Sequence, residues 1–127
     1  MAPRRTFRDP PALPHDVVVA ALERALHDPS AEDDAARALV GAALHDDDAA
    51  FVERVCVEAG TRARPGSPLL GLAGLCLGHV ARRFGRLGDD ALTVARSLAA
   101  RAEADPADVD PRAVDGYDDV RGVAEPR

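Results

Sequence analysis

The chain has 127 residues, 46% of them hydrophobic, with a formal net charge of −6, which is enough for one domain with a real core. That acidic balance disfavours a general nucleic-acid binder, which presents a basic face. Aromatic residues make up only 3%, so alanine, leucine and valine must build the core, and no stretch alternates apolar and polar residues long enough to make a strand.

The expected fold is therefore all-α. Residues 1 to 14 contain four prolines and little apolar pattern, and are expected to be irregular, leaving residues 15 to 127 as a single helical domain. The basic start Met-Ala-Pro-Arg-Arg-Thr-Phe-Arg leads into Asp-Pro-Pro rather than the apolar core of a signal peptide. A first helix runs from about Asp16 to His27, with Val18, Ala21, Leu22, Ala25 and Leu26 on one face, and Asp28-Pro29 stops it. Ser30 is then placed to cap a second helix, with Asp33 at the capping-box position. The acidic run Asp46-Asp47-Asp48 opens a third helix from about Asp48 to Ala59, which Gly60 is expected to end.

The fourth helix is the most distinctive. Ser67 suits its cap, Pro68 its first position and Gly85 the left-handed residue after its end. Between them Gly71, Gly74 and Gly78 step by three and four, so one face is nearly bare of side chains. Each interior glycine costs roughly 0.5–1 kcal/mol against alanine, so three of them predict another helix backbone packed very close. The apolar run from Pro68 to Ala81 is too short to span a bilayer. Gly88-Asp89-Asp90 starts a fifth helix, which Asp105-Pro106 ends. Asp110-Pro111 caps a sixth that runs to about Ala124.

The third and fifth helices begin after acidic caps (Asp48, Asp90), and the fourth and sixth after Ser-Pro or Asp-Pro (Pro68, Pro111). A period near 40 residues with two helices per repeat is the signature of HEAT or armadillo stacking. Asp46 to Leu87 resembles a HEAT-like repeat, whose second helix ends in a run of the type Leu77-Gly78-His79-Val80-Ala81, and Asp118-Asp119-Val120-Arg121 is similar to the close of another. The resemblance covers about 80 residues and implies a short right-handed α-solenoid of about six helices in three antiparallel pairs. One departure stands out: the pattern carries a Val-Arg pair near the start of the second helix, where this chain has Leu70-Gly71. The arginine that ties neighbouring repeats is missing there. Small acidic HEAT-like proteins of this size also resemble bacterial immunity proteins, which neutralise polymorphic toxins, often nucleases, by direct binding.

Charge is segregated along the chain. Residues 28 to 53 hold eight acids against Arg37, residues 103 to 119 hold seven against Arg112, and residues 61 to 86 hold Arg62, Arg64, Arg82, Arg83 and Arg86 with no acid. Acids at helix starts complement the dipole, and the same acids can form a rim that steers a basic partner.

Catalytic and metal constellations are weak. His45-Asp46-Asp47-Asp48 suits a helix cap better than a metal cluster, since adjacent turn residues rarely converge on one ion. Cys56, Cys76 and His79 lack a clear fourth zinc ligand. The two cysteines are expected as buried free thiols in a reducing, cytoplasmic compartment, and His79 as a hydrogen-bonded core histidine. No phosphate-cradling glycine loop and no nucleophile elbow are present.

The function expected is that of a non-enzymatic protein-binding module with neither cofactor nor metal. In its most specific form it is an immunity protein that binds a basic toxin domain. The candidate contact residues are Asp46, Asp47, Asp48, Asp89 and Asp90, together with Arg82, Arg83 and Arg86. The alternative is an assembly scaffold that self-associates through its arginine and acidic patches, as a homodimer for instance.

Overall fold

The computed structural model describes residues 10–124. Most of the N-terminal segment expected to be irregular thus lies outside the described residues, and its described part, residues 10–14, has no regular structure. Six α-helices follow: α1 His15–His27, α2 Glu32–His45, α3 Ala49–Arg62, α4 Pro68–Phe84, α5 Asp89–Ala104 and α6 Arg112–Ala124. The described residues include no strand, and none of their helices is long and apolar enough to cross a membrane.

The ends of α4 form as local chemistry dictates. The Leu69 N–H donates to the Ser67 hydroxyl at 3.1 Å, Pro68 occupies the first turn, and Gly85 adopts φ 75°, which suits a residue without Cβ. Asp48 likewise accepts from the Phe51 N–H at 3.0 Å and starts α3.

Two helix ends differ from expectation. Asp28, not Ser30, is the capping residue: its Oδ1 accepts from the Ser30 N–H and hydroxyl at 3.0 and 2.8 Å. Pro29–Ala31 form a 3-10 turn ahead of α2, because Pro29 lies immediately after the cap, where its fixed φ suits a first helical residue. Gly60 does not end α3, which continues to Arg62. A Cβ on Gly60 would stand 2.8 Å from Val94 Cγ1 and 3.0 Å from Leu98 Cδ1. The glycine serves close approach to α5 and not chain reversal.

Each helix packs on its neighbour in sequence. In addition, α3 touches α1 and α5, while α4 touches α2 and α6. Helix α4 is central, with Leu69, Leu70, Ala73, Leu77, Val80 and Ala81 fully buried. Its bare face meets α6. A Cβ on Gly74 would lie 2.9 Å from Ala113 Cβ, and one on Gly78 would lie 2.8 Å from Gly116 Cα. From the other side, a Cβ on Gly116 would collide with the Gly74 carbonyl. The close helix backbone predicted from the glycine spacing is that of α6.

These contacts separate two glycines of one helix. Gly116 meets rigid backbone, whereas Gly122 has nothing within 4 Å of a built Cβ. Gly116→Ala is expected to lower stability by about 1–3 kcal/mol through overpacking. Gly122→Ala should be neutral or stabilising by at most about 1 kcal/mol. Urea unfolding of the two variants beside the parent chain measures both.

Candidate functional site

The α2–α3 turn is built around Asp46 and Arg83. Asp46 ends α2; its Oδ1 accepts from the Asp48 N–H at 2.8 Å, and its Oδ2 pairs with His15 Nε2 at 2.9 Å. The His15 ring stacks on Phe51 with centroids 3.6 Å apart, so α1 is tied to this turn as well. From the end of α4, Arg83 donates to the carbonyls of Ala43 and Asp46 at 2.9 and 2.8 Å and pairs with Asp47 at 3.2 Å. The free carbonyls at the end of α2 are thus satisfied by a cation, which also suits the negative end of the helix dipole. One arginine at the end of α4 thus ties that helix to the end of α2.

The eight candidate contact residues therefore differ in what they have left to offer. The Asp46 side chain is only 10% exposed and already engaged, and Asp48 is engaged as a cap. Asp47 is 98% exposed. Asp89 and Asp90 are exposed in the first turn of α5, and neither they nor Arg86 has a hydrogen bond or ion pair among the described residues. Arg82 points elsewhere, toward Asp119 of α6 at 3.5 Å.

A groove of about 480 Å³ runs between α3 and the α4–α5 turn. Ala49, Ala50, Glu53, Arg54, Val57 and Glu58 form one wall, and Phe84, Arg86, Gly88, Asp89, Asp90 and Ala91 the other. Glu53 Oε1 accepts from the Gly88 N–H at 2.9 Å and fastens the two walls together. The start of α3 and the start of α5, the two acidic helix openings read from the sequence, thus adjoin at one edge.

Several other arginines form ion pairs within the fold. Arg62 bonds to Glu23 and Glu58; it holds the Glu23 carboxyl below its ordinary range and is itself pushed upward. Arg101 grips Asp108 with two bonds at 2.8 and 2.7 Å. Sequence reasoning missed Glu32, which it counted among surface acids. Glu32 is buried at 8% exposure, accepts from the Ser67 hydroxyl at 2.7 Å and pairs with Arg64 at 3.2 Å. It locks the start of α2 to the start of α4. Its place at the opening of a helix is the ordinary place for an exposed acid, so no local signal distinguishes it.

His79 is half-buried rather than a core residue. It lines a shallow depression with Leu44, Arg82 and Arg83 and makes no hydrogen bond among the described residues. The reason is its place on the helix: it falls outside the faces of α4 that α3 and α6 cover. Cys56 and Cys76 are buried free thiols on α3 and α4. Their mutual hydrogen bond, followed by burial, pushes the Cys56 thiol well up. Among the described residues no three His, Cys, Asp or Glu side chains are placed to hold a metal ion.

Comparison with protein families, with curated proteins and with solved structures finds no match for this chain.

The Arg101 contact holds the Asp108 carboxyl below its usual 3.8. Its contribution to stability is present above the unfolded value and is lost as pH falls through the lower folded value. Asp108→Asn should therefore flatten the fall in stability on acidification below about pH 5, as read from thermal melts across that range. The thiols give a second test. Both are buried out of reach of a solution reagent, so Cys56 and Cys76 should resist iodoacetamide in the native protein and react only after denaturation, as intact mass spectrometry would report.

Proposed function

We propose that this chain is a non-enzymatic protein-binding module, built as a short right-handed α-solenoid of HEAT or armadillo type from three antiparallel helix pairs. The order of contacts supports the solenoid reading. Helices α1, α3 and α5 touch in succession, and so do α2, α4 and α6, while each odd helix packs on the even one that follows it. A stack of helical hairpins produces that pattern, because each repeat contacts only its neighbours.

The observation that carries the binding reading is the shared edge. The start of α3 and the α4–α5 turn adjoin there, with Asp89 and Asp90 exposed on it and Asp47 exposed two residues before α3, beside Arg83. A row of exposed carboxylates on a fixed backbone suits electrostatic recognition of a basic partner. In its most specific form the chain is an immunity protein whose edge occludes the active site of a cognate toxin, such as the nucleic-acid cleft of a nuclease. A foreign partner is favoured over self-association, since Arg62, Arg64, Arg82 and Arg83 are paired inside the chain and are not free for a second copy. Two free buried thiols suit a reducing, cytoplasmic setting.

Co-expression with the protein encoded immediately upstream, followed by a pull-down at low and high salt, tests this reading. A stoichiometric complex that weakens as salt rises is the expected result. Absence of a complex at both salt concentrations would overturn the immunity reading.

A further inference from the structure

The α3–α5 groove has two features that a plain helix packing seam lacks. Its walls include the apolar side chains of Ala49, Val57, Phe84 and Ala91, and its volume of about 480 Å³ is in the range of ligand-binding clefts. Its walls carry four carboxylates, on Glu53, Glu58, Asp89 and Asp90, against two guanidinium groups, on Arg54 and Arg86. These charges are unequally available. Glu53 holds the Gly88 N–H, Glu58 pairs with Arg62, and Arg54 lies over the Phe51 ring at 5.5 Å. Asp89 and Asp90 have no side-chain partner among the described residues.

We infer that this groove seats a basic segment of a partner protein, with one apolar side chain between Ala49 and Val57 on one wall and Phe84 and Ala91 on the other, and flanking arginine or lysine side chains on Asp89 and Asp90. The inference rests on the protein-binding reading and names the site and the chemistry of its partner. The net negative lining repels phosphate, so the occupant is a polypeptide and not a nucleic acid. Arg86 gives the groove polarity: it accommodates an acidic or carbonyl group at one end of the segment and repels a cation there. A uniformly basic tail therefore fits less well than a segment with cations on one side of an apolar anchor. Because the Glu53–Gly88 bond joins α3 to the α4–α5 turn, the receptacle exists before binding, which limits the ordering cost.

The probe is a short synthetic amphipathic helix with arginines flanking a leucine, and its control has glutamate in place of each arginine. Each is titrated into the full isotope-labelled chain and followed by amide chemical shifts at two salt concentrations. Shifts confined to α3 and the α4–α5 turn, seen for the arginine peptide only and reduced by salt, are expected. The D89N/D90N double variant should bind roughly tenfold more weakly. Ala50→Trp, at an exposed position on the rim, should block the groove while the spectrum of the fold persists. Equal shifts with the glutamate peptide, shifts mapping elsewhere, or unchanged binding by both variants would overturn the inference. The upstream-encoded protein separates the two levels. Its capture by the Ala50→Trp chain with undiminished yield would overturn the groove and leave the binding-module reading standing. Failure of the unaltered chain to capture it would count against the immunity reading, while the peptide titration still decides the groove.

Discussion

The contact between α4 and α6 is the constraint on which the rest of the molecule depends. Gly71, Gly74 and Gly78 come so near Asp110, Ala113 and Gly116 that a single added Cβ would displace backbone. Glycine inside a helix is unfavourable by itself, so the packing must more than offset three such residues on α4. It does so by letting α6 lie against α4 without intervening side chains, which leaves the leucines and Val80 of α4 free to fill the opposite faces. There they meet α2, α3 and α5. A helix buried nearly all round is otherwise hard to place in a chain of this length, because small domains have little interior. The final helix supplies the wall that makes a central helix feasible.

That placement has an electrostatic consequence. With α4 fixed along its length, its last turn delivers Arg83 to the open carbonyls of α2, while its first turn delivers Ser67 to the buried carboxylate of Glu32. One helix thus closes both ends of its neighbour, once with a cation and once with a hydroxyl. Each tie leaves few buried polar groups unsatisfied; among the described side chains only Arg112 Nε is buried without a hydrogen bond. It also lies 3.5 Å from the carboxylate of Asp110. The segregated charge seen in the sequence is resolved mainly inside the fold, with arginines of residues 61 to 86 facing acids from distant parts of the chain.

The boundaries legible in the sequence are those set by local chemistry. Ser67, Pro68 and Gly85 announce α4 because a cap, a fixed φ and a positive φ act within a few residues. The glycine spacing on α4 foretold a close backbone, though not which helix would provide it. Gly60 was misread because a terminating glycine and a close-packing glycine look alike until α5 is in place above it. Ser30 was misread because Asp28, two residues earlier, accepts from both its N–H and its hydroxyl and caps a 3-10 turn ahead of α2. For Glu32 and His79 the pattern gave the helix but not the neighbour, and burial is a property of the neighbour. The acidic edge was legible as a set of residues, and its division into engaged and free carboxylates was not.

That division separates carboxylates that hold the frame from carboxylates that do not. Asp46 and Asp48 hold the α2–α3 turn through His15, Phe51 and backbone N–H groups, so altering them would disturb the frame as well as any contact made on it. Asp89 and Asp90 are different. The cap residue of α5 is Gly88, without a side-chain bond, and the two carboxylates contribute mainly through the helix dipole, worth about 0.3–1 kcal/mol at an exposed site. They can change with little effect on the fold, and they stand on the wall of a groove whose opposite side is pinned by Glu53. The first turn of α5 thus joins side chains whose change costs the fold little to a wall that Glu53 holds in place.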